Sequence, residues 1–516
     1  MTHKGDPSVY LATYVLVALA LPIASLRWLR VCQREHYMGG YTTRFAIRWW
    51  LGSSPANLVA LLVAAMAALA AVWTPVSALV TAGLVVVAPL GLGIRGRTSK
   101  LVFTGRLRRL AAPVIFDLLI FVAAFWFLPF GMTFLALSGL TIPLLVDLYA
   151  GLIAPVERKL SQRFIGEAQH KLRQVRPLVV GVTGSYGKTT AKEYIRHLLS
   201  GTYRVVASPA SFNNQLGLAR TVNEHLTAGT EVLIAEMGDY GPGEISEMCT
   251  WLQPKIGVVT AVGYEHFERF KSMEAIAESK REIFTTCETA VLGIDTPPLD
   301  DMAIEIASAG AKRVMTVSGE GREADISALG DGVEIRISAG GDDLGTIPKE
   351  NRHPLNVAIA VAVAIAMDVP LRSITNLLPG LESPAHRATM EVGPTGVTII
   401  DDTYNSNPVG AAAALDIIAR SGAPGRKVVV TPGMVEMGTE QHRLNSDFAA
   451  KAGEVATDLL IVGYTNRLAL REGASRASQL NVIEVRTREN ATSWVRENLG
   501  DGDIVLYEND LPDHFP

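Results

Sequence analysis

The stretch GVTGSYGKTT, Gly181 to Thr190, decides how the rest of this 516-residue chain is read. A standard phosphate-binding loop carries a glycine five positions before its Gly-Lys pair; here Val182 occupies that position, and the glycines fall at 181 and 184. The residues before the loop, Val179 to Thr183, are β-branched and read as a strand, and those from Lys188 onward read as a helix. Strand, glycine loop, Gly-Lys-Thr-Thr and helix in that order form a phosphate cradle. Backbone N–H groups of Gly184, Ser185, Tyr186, Gly187 and Lys188 would wrap the anion, and the helix N-terminus favours its charge. Lys188 would reach the terminal phosphates, and Thr189, followed by Thr190, would put its hydroxyl on magnesium. The implied ligand is a nucleoside triphosphate.

Outward from the loop, the two sides of the chain differ. The segment from 1 to about 155 is nearly continuous hydrophobic sequence broken by arginine-rich stretches, and the remainder is an ordinary mixture of strands, helices and Gly/Pro turns. Five apolar segments, at about 8–26, 56–73, 75–94, 112–129 and 131–154, each approach the roughly 20 residues needed to cross a bilayer. Four further spans after the first argue against a cleaved signal peptide. Arg27, Arg30, Arg34, Arg44 and Arg48 follow the first span, Arg95, Arg97, Lys100, Arg106, Arg108 and Arg109 the third, and Arg158, Lys159 and Arg163 the fifth. Basic loops are retained in the cytoplasm, so the expectation is a multi-pass domain in a cell membrane, in contact with membrane lipid, with the N-terminus outside and the large soluble part cytoplasmic. Asp117 and Asp147 read as helix-end or inter-helix contacts rather than a transport path.

After a connector at 156–176, β-branched runs at 179–183, 232–236, 256–262, 397–401, 427–431, 458–463 and 503–507 alternate with helical patterns. That alternation predicts parallel α/β sheets with ligands at the carboxyl ends of the strands. Glu236 ends one strand and suits a hard cation, and His266 follows another. The charge balance is −4 and no basic stripe is interleaved with aromatics, so nucleic acid is not an expected partner. Cys32, Cys249 and Cys287 lie far apart and form no CxxC pair, which argues against a disulfide framework or a zinc site.

TGSYGKTT at 183–190 is joined in order by SFNNQLG at 211–217, AEMG at 235–238, GYEHFE at 263–268, SKREIF at 279–284, DDTYNSNP at 401–408 and GMVEMG at 433–438. Together they resemble the Mur ligases, most closely the MurF type, whose loop is TGxxGKTT. The resemblance implies a P-loop central α/β domain at 177–383 and a Rossmann-like α/β C-terminal domain at 384–516, behind a transmembrane domain at 1–155. It also implies an ATP-dependent amide ligase of peptidoglycan or cell-envelope synthesis. A carboxylate acceptor, a peptidoglycan-precursor-like peptide on either a lipid or a UDP carrier, would be phosphorylated and joined to an amino acid or dipeptide amine. On this resemblance Lys188, His266 and Lys280 are catalytic; Thr189, Glu236, His266 and a carbamylated Lys280 hold magnesium; and Asn213 and Asn214 contact substrate. Asn356 would contact adenine, Arg387 the γ-phosphate and Asp402 the ribose. For Lys280, the i−4 and i+4 neighbours are Ile276 and Phe284, so no carboxylate partner stands one turn away, and the apolar stripe hints at burial.

Two departures stand out. The family's UDP-binding N-terminal domain has no counterpart, and its C-terminal Lys-Gly-Ser-Arg segment is replaced by Tyr507-Glu508-Asn509-Asp510-Leu511-Pro512-Asp513-His514-Phe515. Competing readings are a poly-γ-glutamate-type polymer synthetase, which shares the loop and the membrane segments, and the ATPase subunit of a transporter, which would need neither His266 nor Lys280.

Overall fold

The structure, a computed structural model, describes residues 6–52, 54–96, 100–209, 212–349, 352–384, 389–393, 395–403, 406–511 and 515. Residues 1–160 with 511–516 form one compact unit and residues 161–510 a second.

The first unit is helical: α1 (Pro7–Arg34), α2 (Tyr41–Gly52), α3 (Pro55–Ala70), α4 (Ala78–Val87), α5 (Gly105–Trp126), α6 (Gly131–Leu140) and the first part of α7 (Ile142–Val175). Its core gathers Leu21, Trp28, Trp49, Leu110, Leu135 and Val146, yet Leu19, Leu62, Met66, Phe116 and Leu119 remain exposed. Helices that are apolar on both faces are the pattern of a bundle with an apolar surround.

Among the described residues, α1 and α5 are long and apolar enough to cross a membrane; the bent pairs α2–α3 and α6–α7 bring the number to four if each is one span. The five expected spans are therefore not all present. The 56–73 segment yields the 16-residue α3, about 24 Å long at the usual rise, and the 75–94 segment yields a 3-10 turn and the 10-residue α4. Alone, neither spans roughly 30 Å of hydrocarbon. Helix α4 stops at Val87, next to Ala88-Pro89, because the residue before a proline avoids helical backbone.

The expected loop arginine Arg27 is instead inside α1 and 2% exposed. Its guanidinium donates to the carbonyls of Val85 (3.1 Å), Val86 (2.6 Å), Val87 (3.2 Å), Leu92 (2.7 Å) and Ala88, most of them orphaned at the end of α4. Asp147 caps the start of α2, accepting from the Thr42 and Thr43 backbone N–H groups at 3.2 and 2.7 Å, a helix-end contact.

The second unit holds two sheets. The first has nine strands: β1 (Leu178–Thr183), β2 (Val205–Ala207), β3 (Val232–Glu236), β4 (Ile256–Val259), β5 (Thr289–Gly293), β6 (Arg313–Ser318), β7 (Ile326–Gly330), β8 (Glu334–Ala339) and β9 (Asp342–Pro348). Their order is β2-β3-β1-β4-β5-β6-β7-β8-β9, parallel as far as β7 and antiparallel from β7 to β9. Helices α8 (Lys188–Ser200), α9 (Gln215–His225), α10 (Glu244–Leu252), α11 (Phe267–Phe270), α12 (Met273–Arg281) and α13 (Pro297–Ser308) alternate with these strands. Helix α14 (Pro354–Ala366) is apolar around its circumference and correspondingly buried from Leu355 to Ala364. Helix α15 (Leu371–Leu377) follows.

The second sheet runs β10 (Thr389–Val392), β11 (Thr398–Asp402), β15 (Ile504–Glu508), β12 (Lys427–Thr431), β13 (Asp458–Val462), β14 (Asn481–Val485), parallel apart from the β10–β11 pair. Between its strands lie α16 (Pro408–Arg420), α17 (Gln441–Val455), α18 (Arg467–Ala474) and α19 (Arg488–Asn498). The strand order matters for chemistry: β3, β1 and β4 are neighbours, so their carboxyl ends bring Glu236, the glycine loop and the Tyr264–Glu268 segment together.

Candidate active site

The glycine loop is held closely from both sides. Gly184 has φ +143° and Gly187 φ +79°, conformations that side chains rarely adopt. A Cβ on Gly184 would stand 2.0 Å from Thr260 Oγ1, and one on Gly187 2.4 Å from Asn356 Oδ1. Ser185 N–H donates to Ala261 O at 2.7 Å, and Ser185 Oγ exchanges hydrogen bonds with Gly263 (3.0 and 3.1 Å). The loop is thus pinned to the end of β4, and its backbone conformation leaves a cradle of the kind that suits phosphate. Tyr186 is pressed into this packing with its hydroxyl buried, which pushes its ionisation upward through desolvation.

Lys188 opens α8 and turns back over the loop, donating to Gly184 O (2.5 Å) and Ser185 O (3.1 Å) and pairing with Glu265 at 2.8 Å. Glu265 belongs to the GYEHFE motif but carries no sequence-level signal beyond lying beside His266. Thr189 Oγ1 donates to Glu236 Oε1 at 3.1 Å, and Thr190 is half-buried in the same helical turn. The other Glu236 oxygen accepts from Lys192 Nζ at 3.1 Å, and both side chains are buried. Lys192 was not anticipated; only its position one turn after Lys188 on the same helix could have indicated it.

The Thr189–Glu236 oxygen pair, at the mouth of the phosphate loop, is a donor set that fits one hard cation. His266, at φ +51°, shares a hydrogen through Nδ1 with Glu436 Oε2 at 2.5 Å, joining GYEHFE of the first sheet to GMVEMG of the second. Lys280 is 1% exposed, as its apolar stripe suggested, but its Nζ is in an ion pair with Asp239. No cluster of three or more His, Cys, Asp or Glu side chains that could hold a metal occurs among the described residues. Lys280, expected as a carbamylated metal ligand, thus lies with its Nζ against the Asp239 carboxylate.

The remaining expected residues divide. Asn356 lies against the phosphate loop at Gly187, 6% exposed. Asn213 packs on Gly238, whose N–H donates to Asn213 O at 2.7 Å, in the loop that follows Glu236. The Asn214 side chain caps α9, accepting from Gly217 N–H at 2.9 Å. Asp402 ends β11 and is 8% exposed; Arg387 lies outside the described residues. Beside Asp402, Glu508 is fully buried and accepts from Ser406 Oγ and Thr431 Oγ1. Burial pushes its carboxyl up to about 7; the two hydroxyls oppose this and the Asp402 charge adds to it. A cavity of about 880 Å³ opens between the lobes of this unit, lined by Phe267, Glu268 and Lys271 on one side and Gln441, His442 and Leu468 on the other.

With this geometry in hand, residues 182–362 match the Mur ligase middle domain and residues 386–507 the Mur ligase glutamate ligase domain. The UDP-N-acetylmuramoyl-tripeptide–D-alanyl-D-alanine ligase of Mycobacterium leprae is 30% identical over 370 residues, covering 64% of this chain and 70% of that protein. This chain belongs to the Mur ligase family. The Bacillus subtilis enzyme of the same name is 28% identical over 345 residues, 66% of this chain and 75% of that protein. Among solved structures, MurF from Acinetobacter baumannii superposes with a TM-score of 0.59 at 21% identity, over 68% of this chain and 77% of that one. MurF from Thermotoga maritima in complex with ADP gives 0.58 at 24%, over 68% and 80%; at these identities the likeness shows the fold. As a Mur ligase of MurF-like type, the protein is an ATP-dependent, carbon–nitrogen bond-forming ligase.

Proposed function

We propose that this Mur ligase is anchored in the membrane by its N-terminal helices and joins an amino acid or dipeptide amine to the carboxylate of a peptidoglycan-precursor-like peptide. The observation that carries the reading is the pairing of both Mur ligase catalytic domains with an apolar helical unit where a soluble sugar-nucleotide domain is expected. The names of the relatives support a D-alanyl-D-alanine amine and a muramoyl-tripeptide acceptor. The helical unit supports an acceptor presented at a membrane surface.

A carboxylate is a poor electrophile, so the acceptor oxygen first takes the γ-phosphoryl group of ATP and ADP leaves. The amine nitrogen then bonds to the acyl carbon, loses its proton, and phosphate departs. In this reading the Gly184–Lys188 backbone cradles the phosphates, and Lys188 exchanges Glu265 for phosphate oxygens during transfer. Thr189 and Glu236 would hold Mg²⁺, which supplies charge neutralisation on the phosphates. Asn356 lies against the loop at Gly187, and Asp402, at the end of β11, would meet the ribose. His266, oriented by Glu436, ties the two lobes together so that the charge-stabilising groups are assembled before transfer.

The test is detergent-purified full-length protein with ATP, magnesium and D-alanyl-D-alanine, offered UDP-linked or lipid-linked peptide acceptors, with ADP release and product mass followed. Acceptor- and amine-dependent ADP release that Lys188→Ala abolishes is the expected result. Phosphate release that needs neither substrate would overturn the ligase assignment; equal turnover of both acceptors would overturn the membrane-presented one.

A further inference from the structure

Arg27 of α1, the first turn of α3 and the end of α4 meet at one level of the first unit. From Pro7 to Leu26, α1 rises about 30 Å, the thickness of bilayer hydrocarbon, and Arg27 follows at once. Arg27 holds the carbonyls at the end of α4 and that of Leu92, and the Asn57 side chain, in the first turn of α3, exchanges hydrogen bonds with the Leu90 backbone at 2.6 and 3.2 Å. Helix α2 packs at the same level. A Cβ on Gly91 would meet the Trp49 ring at 3.4 Å, and Asp147 of α7 fixes Thr42 and Thr43 at the start of α2. Helices α2 and α3 are bent by 106° to one another, so with α3 directed into the hydrocarbon α2 lies nearly in the plane of the membrane surface.

The exposed side of α2 has two flanks. Phe45, Ala46, Trp49 and Trp50 are buried against the bundle, which leaves Arg44, Ile47, Arg48 and Leu51 outside at the spacing of one helix face. At about 100° per residue, Arg44 and Arg48 line one flank of that arc and Ile47 and Leu51 the other; the two aliphatic side chains are 54% and 55% exposed. Each guanidinium lies over an aromatic ring three residues back, Arg44 over Tyr41 at 5.6 Å and Arg48 over Phe45 at 5.7 Å, which holds both along the helix. A helix facing only water would gain nothing from exposing Ile47 and Leu51, and one sunk in hydrocarbon would not place two guanidiniums beside them. The boundary between the two solvents suits both flanks, with the aliphatic groups in the acyl layer and the guanidiniums among the phosphates.

We propose that α2 is an in-plane helix at the cytoplasmic membrane surface, and that Arg44 and Arg48, one turn apart, form a binding site for the phosphate of an anionic phospholipid headgroup. The proposal rests on the reading of the N-terminal helices as a membrane anchor. A guanidinium makes paired N–H···O bonds to a phosphate, and two of them on adjacent turns carry more charge than one headgroup neutralises. A choline headgroup brings its own cation to the same place, so the anionic lipid is the favoured occupant. Its binding fixes the height at which the helical unit sits in the bilayer.

The experiment uses the full chain. Cys32, Cys249 and Cys287 are buried, so a cysteine introduced by Ile47→Cys can carry an environment-sensitive fluorophore. In detergent micelles, added phosphatidylglycerol is expected to brighten the label and phosphatidylcholine to leave it unchanged. Adding Arg44→Gln and Arg48→Gln is expected to raise the phosphatidylglycerol midpoint by about 20-fold or more, from about fivefold per arginine. In vesicles of equal parts phosphatidylcholine and phosphatidylglycerol, the label is expected to be shielded from aqueous iodide, unlike one placed by Ile304→Cys on the exposed side of α13. A label at Ile47→Cys as open to iodide as that at Ile304→Cys, an equal response to both lipids, or a midpoint unmoved by the glutamine pair would overturn the proposal and leave the membrane anchor standing. A chain that floats with no vesicle would overturn the anchor itself, and the proposal with it.

Discussion

Replacing Glu508 by Gln tests the electrostatics of the second lobe quantitatively. The Glu508 carboxyl is fully buried at the carboxyl end of β15, where burial raises it from 4.5 to about 7 against the two hydroxyl donors. A carboxyl whose folded-state value is raised holds its proton more tightly when folded. Its contribution to stability is complete below pH 4.5 and is lost as pH rises through about 7. At about 1.4 kcal/mol per tenfold in proton affinity, the loss is on the order of 3 kcal/mol. Glu508→Gln cannot titrate, so the variant should gain about that much relative to wild type between pH 4.5 and 8, on top of a pH-independent offset from its changed hydrogen bonds to Ser406 and Thr431. Hydrogen exchange of the β12 and β15 amides, compared between the two proteins at each pH, reads the difference because the intrinsic exchange rate cancels. Parallel stability profiles across that range would refute the reasoning.

Gly187→Ala places a Cβ at φ +79° and 2.4 Å from Asn356 Oδ1, so backbone strain of about 1–2 kcal/mol adds to displacement of that amide. ATP affinity measured by calorimetry should fall by about tenfold or more, and unchanged affinity would show that the loop is not the nucleotide cradle. Lys192→Met leaves the buried Glu236 carboxylate without its ammonium, a loss of about 3–5 kcal/mol that thermal unfolding or exchange of the β1 and β3 amides would register. A variant as stable as wild type would show that the pair is not held in solution.

The phosphate loop was legible because its information is local: a β-branched run, glycines where backbone must turn, and a lysine opening a helix are neighbours in the chain. The strands at 232–236, 427–431 and 458–462 were legible for the same reason, being short apolar runs bounded by turns. Span number was less legible, because hydropathy records that 75–94 is apolar but not that a 3-10 turn and Pro89 leave only a ten-residue helix. The capping role of Asn214 was not legible for a related reason, since an asparagine ahead of a helix serves equally as a cap or a ligand.

By itself the sequence determined the nucleotide loop, the order of the Mur ligase motifs and the apolar character of the first 155 residues. The tertiary structure alone decided the partners of the buried charges. Lys280 has no carboxylate one helical turn away, and its partner Asp239 is 41 residues distant; Glu508 finds Ser406 across 102 residues and Lys192 finds Glu236 across 44. Such pairs form where a parallel sheet, with its strands in an order different from that of the chain, gathers loops at one edge. Burial there makes an unpaired charge too costly to leave, so the choice of partner belongs to the strand order and not to the local sequence.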